Sequence, residues 1–581
     1  MLRSYLIKGG TVVDGTGAPA YAADVRVKHG LIAEIGKDLQ PEPRERIVDA
    51  KGCYVTPGFI ESHNHFDGPM WWMPTMEPMP GYGVTTSING NCGFAAAPVH
   101  DDPVVRKEMV DIFSFFEDIP QKPFIEMLPW DWRKWSEYRA SLQRNVKIPV
   151  NYAAFVGHIA IRLAVMGLEA WDRAATPDEI KAMCAHLEDA LEAGALGFSS
   201  NLLDHDKKDR PIPTLKADDA EFAALLAVVS RYPGRTVQVI VDYFMRMNGA
   251  ASVERMTRLA KDAGVRIQIS GGVPTLEFQA ALIPAALEAH EKRKLDNSDD
   301  SWVSFGVNSL TTVVNFTSSL VFAQSNNYVW NDIVEEKSEE GKIALLSDPE
   351  WRARARESWD KIWTQSPMSR ATSVELLDSE TGVGPKGVML SVYMEQTGIE
   401  HPSDALAEWV LENGIHSTLR LSDYTRNEEV LDTLLRDPRP VGVNTDSGAH
   451  GKMFCGIGDN ILLLTKYVRD RGQLKIEEAI HILSGKNAAH FGLTDRGEIK
   501  VGKQADIVVF NLDEIERRKD VKVYDVPDGE GGRTYRYSRA PAPMRLTMVN
   551  GVPTFDDGAF SGFFPGQYIG PAEPVLAQAA E

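Results

Sequence analysis

The sequence predicts an α/β protein: a parallel-stranded (β/α)8, TIM-like barrel inserted into a small β-sandwich built from both ends of the chain. Three observations carry this expectation. Between residues 57 and 496, short apolar runs alternate with helical patterns, as expected for strands covered by helices. The first fifty-odd residues and the stretch from Gly497 onward share a strand–turn–strand texture, and each is too thin to be stable alone. An apolar segment, residues 53–60, leads into His63 and His65, whose i, i+2 spacing puts both imidazoles on one face at a strand's end.

The N-terminal part divides into short strands at 5–7, 11–13, 23–27, 31–35 and 46–49, punctuated by Gly9-Gly10, Asp14-Gly15 and His29-Gly30. The matching texture at 497–510 and the hairpin signal Asn550-Gly551 supply its missing half. The expected organisation is therefore a composite β-sandwich from 1–56 plus 497–560, a catalytic barrel over 57–496, and a tail over 561–581. That tail, rich in Pro, Gly and Ala, is read as extended or as an arm on a neighbouring subunit.

Within the barrel, residues 84–89, 150–156, 196–200, 237–242, 265–270 and 441–446 read as strands. A helix is expected over 177–193, with Thr176 as N-cap, Pro177 in the first turn and Gly194 ending it. Such barrels place their chemistry at the carboxyl ends of strands. Five of the expected strands end in or beside polar groups: His63/His65, Asn91/Cys92, His158, Asp242 and Asp446. Two insertions interrupt the pattern, an aromatic and charged one at 101–139 and another at 330–395; each either shapes access to the barrel mouth or forms a subunit contact.

Composition narrows the function. A net charge of −20 and a pI near 5.2 argue against nucleic acid or an anionic membrane as a partner. There is no membrane-length apolar run and no apolar signal core at the N-terminus. The four cysteines are widely spaced without a CxxC, which suits a reducing compartment, so a cytoplasmic protein is expected. A small-molecule substrate and a homo-oligomer are expected as well.

Several motifs run in order along nearly the whole chain. They are Gly9-Gly10-Thr11-Val12-Val13-Asp14-Gly15-Thr16-Gly17, Pro57-Gly58-Phe59-Ile60-Glu61-Ser62-His63-Asn64-His65, Gly83-Val84-Thr85-Thr86, Gly90-Asn91-Cys92-Gly93-Phe94 and Val156-Gly157-His158. Gly194-Ala195-Leu196-Gly197-Phe198-Ser199, Thr445-Asp446-Ser447-Gly448-Ala449-His450 and Gly502-Lys503-Gln504-Ala505-Asp506 complete the series. With these pieces the chain resembles the amidohydrolase superfamily, in its D-aminoacylase or N-acyl-D-amino-acid deacylase branch. The resemblance implies a metal held by His63, His65 and Asp446, with Asp446 also moving the proton from the attacking water to the leaving nitrogen. It further implies a ligand role for Cys92, which competes with the reading of a small thiol packed in a tight turn.

Two departures bear on the metal count. D-aminoacylases place a histidine at the end of each of two successive strands, where this chain has Asp242 and Gly271, and no lysine stands in 197–201 to bridge two metals. One divalent ion per chain, zinc before other metals, is therefore expected, with Asp242 or Cys92 adding to the three main ligands. His158 and His205 are candidates for contacts to substrate, against the structural role common for lone histidines. Arg246 could receive a carboxylate, and Trp72 with its apolar neighbours could line an acyl or aromatic pocket.

The leading expectation is a metal-dependent hydrolase of an amide C–N bond using activated water. A lactone or ester hydrolase, or a lyase of the decarboxylase type, could use the same ion, and a metal-poor binding protein is the alternative outside enzymes. The His-Asn-His run and Asp446 argue against the last.

Overall fold

The computed structural model describes residues 4–208, 210–241, 249–272, 301–308, 311–316, 328–360, 370–422, 428–436, 444–450, 453, 456–529 and 531–571. Its N-terminal strands are β1 (Tyr5–Val12), β2 (Tyr21–Lys28), β3 (Leu31–Gly36), β4 (Arg46–Asp49) and β5 (Tyr54–Pro57). Gly9-Gly10, expected as a turn, lies inside β1. The pairing of β1 with β2 slips between Ile7 and Gly10, and Gly9 takes a φ of +77°, so the glycines make a bulge and the strand continues through it.

The core strands follow: β6 (Phe59–Glu61), β7 (Val84–Asn89), β8 (Asn151–Ala154), β9 (Val156–Gly157), β10 (Gly197–Leu202), β11 (Thr236–Val241), β12 (Arg266–Gly272) and β13 (Ser301–Phe305). β6, β7 and β8 form one parallel sheet, and β9 to β13 form a second. Only Phe155 separates β8 from β9, so the two sheets are consecutive along the chain. The described residues of β7, β8 and β10 are buried throughout, as parallel strands covered on both faces require. The ends of this run are tied together. The amide of Asn444 donates to the carbonyl of Phe305 at 3.0 Å, and that of Asp446 to the carbonyl of His63 at 3.1 Å.

Close packing between these strands depends on glycine at two points. A Cβ on Gly58 would sit 2.1 Å from Thr85 Oγ1. At Gly197 the φ is +139° and a Cβ would fall 1.6 Å from the carbonyl oxygen of Thr236 on the neighbouring strand. Gly197→Ala is therefore expected to lose about 2–3 kcal/mol of stability, read as a lower denaturation midpoint; an unshifted midpoint would count against this packing.

The helices α1 (Pro103–Glu117), α2 (Gln121–Met127) and α3 (Trp135–Asn145) make up the first insertion, followed by α4 (His158–Met166) and α5 (Pro177–Glu192). In α5 the Thr176 hydroxyl accepts from the Glu179 amide while Glu179 accepts from that of Thr176, a capping box that starts the helix where the sequence places it. The second insertion has a core of its own, with Trp330, Trp351, Trp359, Trp409, Leu376 and Leu419 packed together. Its antiparallel sheet of β14 (Thr311–Val314), β15 (Val374–Asp378), β16 (Val388–Met389) and β17 (Thr418–Ser422) extends past the expected limit at 395.

The C-terminal strands are β18 (Ile507–Phe510), β19 (Asp520–Pro527), β20 (Arg533–Arg539), β21 (Leu546–Val549), β22 (Val552–Asp556) and β23 (Ala559–Phe560). β18 pairs antiparallel with β5, joining both ends of the chain in one nine-stranded sheet ordered β23-β22-β21-β18-β5-β1-β2-β3, with β4 also on β1. Its hydrogen bonding is continuous because β1 pairs with β4 through Tyr5–Lys8 and with β5 at Thr11 and Val12. Val12, Val25, Val55, Ile507 and Leu546 share its core. The described part of the tail lies on this same chain. Gly566 donates to Ile148, and Tyr152 is bonded on either side to Gln567 and Ile569.

Candidate metal centre

His63 and His65 emerge just past β6, and the backbone of the Asp446 segment is laced onto theirs. The Asp446 amide bonds the His63 carbonyl, and the His65 amide donates to the Ser447 carbonyl at 2.8 Å. This brings Asp446 Oδ1 to 3.2 Å from His65 Nε2 and 3.7 Å from His63 Nε2. Cys92 sits in the turn after β7, its Sγ 3.2 Å from His63 Nε2. Three polar side chains hold that turn. Gln238 accepts from the Cys92 amide at 2.8 Å, Asn201 donates to the Cys92 carbonyl at 3.0 Å, and Ser199 accepts from the Gly93 amide at 2.9 Å.

Two further groups complete the cluster, and sequence reasoning missed both. Glu117, the last residue of α1, comes from the insertion read as shaping the mouth or forming a subunit contact; its Oε1 is 3.6 Å from His65 Nε2. His450 Nε2 is 3.2 Å from Asp446 Oδ2 and 3.5 Å from Glu117 Oε2. His450 was visible, four residues after Asp446 and inside a quoted motif. Glu117 carried no local signal beyond being an acid beside Phe113, Phe115 and Phe116.

Cys92, Asp446 and His450 have φ values of +55°, +51° and +52°, a region that non-glycine residues occupy rarely and at a cost of about 1–3 kcal/mol each. Three such residues meeting at one cluster mark it as functional. Its electrostatics are equally unusual. Burial pushes His63 down to about 4. Burial opposes protonation of His450 too, but Asp446 and Glu117 raise it to about 10. For His65 the same opposition is outweighed by Glu117 and Asp446. Burial would raise Asp446, yet His450, His65 and His63 hold it well below the carboxylate range. Burial and then the nearby carboxylates keep the Cys92 thiol high.

The donors fit a divalent cation. Both ring nitrogens of His65, Asp446 Oδ1 and Glu117 Oε2 are buried without a hydrogen-bond partner, a condition that costs about 1–3 kcal/mol for each group unless something else takes the lone pair. The ligand atoms of His63, His65 and Cys92 lie within 4.8 Å of one another, as do those of His65, Glu117 and Asp446. Separations of 3.2–3.7 Å match the roughly 3.3–3.8 Å edges of a tetrahedron with zinc-like bond lengths.

The other expected residues are placed as follows. Asp242 and Arg246 lie outside the described residues. His158 is fully buried, with Nδ1 2.9 Å from Ser200 Oγ and Nε2 2.7 Å from Glu221 Oε1, while Arg162 pairs with the other oxygen of Glu221. Both of its nitrogens are thus already bonded to protein groups. His205 is half-buried and forms a β-bridge with Pro211. Trp72 is buried and reaches the cluster through other rings: it packs on Phe124, which packs on Phe113, which meets His65.

Comparison with known proteins finds similar chains over nearly the whole length. An N-acyl-D-aspartate deacylase of Alcaligenes xylosoxydans xylosoxydans is 26% identical, the match covering 98% of this chain and 96% of that protein. A D-aminoacylase from the same organism is also 26% identical, over 97% of each. A solved N-acyl-D-glutamate deacylase from Bordetella bronchiseptica, complexed with zinc and a phosphonate that mimics the tetrahedral intermediate, shares the fold. Its TM-score is 0.64 at 22% identity, covering 98% of this chain and 100% of that one. The amidohydrolase family model matches residues 46–351 and 396–555, most of the chain. With a family model that matches most of the chain, the chain belongs to the amidohydrolase family, as a hydrolase of non-peptide amide C–N bonds similar to D-aminoacylases and N-acyl-D-amino-acid deacylases.

Proposed function

We propose that the protein deacylates an N-acyl amino acid, with one zinc ion held by His63, His65, Cys92 and Asp446. The observation that carries this reading is the set of buried donor atoms left without hydrogen-bond partners around His65. Asp242 remains a candidate further ligand and Arg246 the candidate for receiving the substrate carboxylate, both on sequence grounds. The ring series Trp72, Phe124 and Phe113 supports an apolar acyl or side-chain substituent. His205 stays a candidate for the outer part of the substrate site.

When bound, a divalent ion lowers the pKa of water from about 16 towards 7 and polarises an acyl oxygen. The protein's own residues do the rest. Asp446, its carboxylate 3.2 Å from both His65 and His450, accepts a proton from the attacking water. Water oxygen bonds to the acyl carbon, Asp446 returns the proton to the departing nitrogen, and the C–N bond breaks to give a carboxylate and a free amine. His450, its Nε2 3.2 Å from Asp446 Oδ2 and 3.5 Å from Glu117 Oε2, steadies the carboxylate through this exchange. The Phe94 and Phe113 rings, packed together against His65, limit water around it.

The same reading includes a closed (β/α)8 barrel over 57–496, supported by the parallel run and the bonds of Asn444 and Asp446 to its two ends. It also includes a composite β domain from 1–56 and 497–560, supported by the pairing of β5 with β18, with 561–581 as a tail. Removing 497–581 takes away β18 and its neighbours and exposes the β5 edge, so that truncation is expected to aggregate. A soluble, active truncated protein would end the composite-domain reading. We place the protein in the cytoplasm on its charge and cysteine pattern, and keep the expectation of a homo-oligomer. No helix among the described residues is long and apolar enough to cross a membrane.

Mass spectrometry of reactions with N-acyl-D- and N-acyl-L-amino acids, lactones and aromatic acids tests the chemistry. Amine release from an N-acyl amino acid is the expected result. Lactone opening or loss of CO2 without amine release would overturn it.

A further inference from the structure

We infer that Glu117 is itself a ligand of the metal, so that binding the ion and docking the 101–139 insertion are one event. This rests on the metal-centre reading above. Glu117 is 3% exposed. Its ion-pair neighbours among the described residues are His65 and His450, with no lysine or arginine. Leaving a carboxylate in such a place without a full counter-charge is costly.

A simple ion pair between Glu117 and His65 does not account for the geometry. A charge-assisted pair closes to about 2.7–2.9 Å, whereas Glu117 Oε1 stands 3.6 Å from His65 Nε2. His65 Nε2 and Glu117 Oε2 both remain without a hydrogen bond. Two good partners held too far apart to bond, each with unused lone pairs, are what the edge of a coordination shell looks like before the ion is added. Asp446 Oδ1, also unpartnered and 3.2 Å from the same nitrogen, gives the third corner.

The helix is built to deliver this group. Phe113 packs on His65 and on Phe94, and Phe94 also stacks on Phe116, so one face of α1 lies over the cluster. At the helix's end the His450 amide donates to the Glu117 carbonyl at 2.6 Å, pinning the backbone from the opposite side. Asp118 then turns the chain away with a φ of +50°. A metal held here joins the His63/His65 strand end, the Asp446 segment and the C-terminal end of α1, so removing it unhooks the insertion from the barrel side of the site.

The test uses full-length protein reconstituted with Co2+. In the unaltered protein, stripping the metal is expected to speed hydrogen exchange of the amides of 103–117. Glu117→Gln keeps size and the backbone bond but loses the charged ligand. It is expected to weaken metal retention against a chelator at least about tenfold, to change the cobalt d–d absorption, and to make exchange of 103–117 insensitive to metal. The same cobalt spectrum and the same metal-dependent exchange in both proteins would overturn the inference and leave the metal centre standing. Failure of the unaltered protein to take up cobalt would remove the metal centre itself. Comparing loaded and stripped unaltered protein needs no variant: unchanged exchange at 103–117 would by itself reject the coupling.

Discussion

Asp446→Asn is expected to keep its metal while turnover falls by about 10²–10⁴-fold. The amide preserves the side chain's shape and one oxygen able to ligate, but it cannot take up the proton of water at neutral pH. The backbone lacing that positions residue 446, through His63 and Ser447, involves no side-chain atom of Asp446 and survives the change. Atomic spectroscopy after dialysis and steady-state amine release on the same preparation check both halves. Near-normal turnover at full metal loading would end the proton-transfer role. Complete loss of metal would instead make Asp446 chiefly a ligand.

His65→Ala is expected to lose metal and activity together. His65 is the residue common to both groups of potential ligands, and it faces Asp446 and Glu117 from a single ring nitrogen. Loss even of a group outside the ligand set weakens metal binding about 10–100-fold, so loss of this ring is expected to weaken it by at least about 100-fold. Excess zinc should restore little turnover, because the missing donor sits between the two carboxylates. Retention of one ion per chain through dialysis would show that the centre is built around His63 and Cys92 without His65. Together the two variants separate holding the ion from moving the proton.

Much of this protein was legible in its residues because much of it is local. Alternation of apolar runs with helical pattern found strands such as Val84–Asn89 at their observed limits, and Thr176-Pro177 marked the start of a helix whose cap is seen. The i, i+2 spacing of His63 and His65 brought two imidazoles to one place, since the period of a strand is two. The sheet shared by both ends of the chain also follows from local texture, as neither end has enough strands to stand alone.

What only the tertiary structure decided is which distant groups meet. Gly9-Gly10 reads as a turn by composition, yet the pairing available from β2 draws it into a bulged strand. His158 stands at a strand end like the metal residues, but Ser200 and Glu221 take both of its nitrogens. Glu117 belongs to an insertion with no period or spacing in common with His65 and His450, and reaches them because Phe113 packs α1 over the cluster. Strand period and helix capping are set by neighbours a few residues away, so the chain alone determined them. A coordination shell is set by side chains from separate segments, whose approach depends on how large apolar faces pack, and no local pattern encodes that.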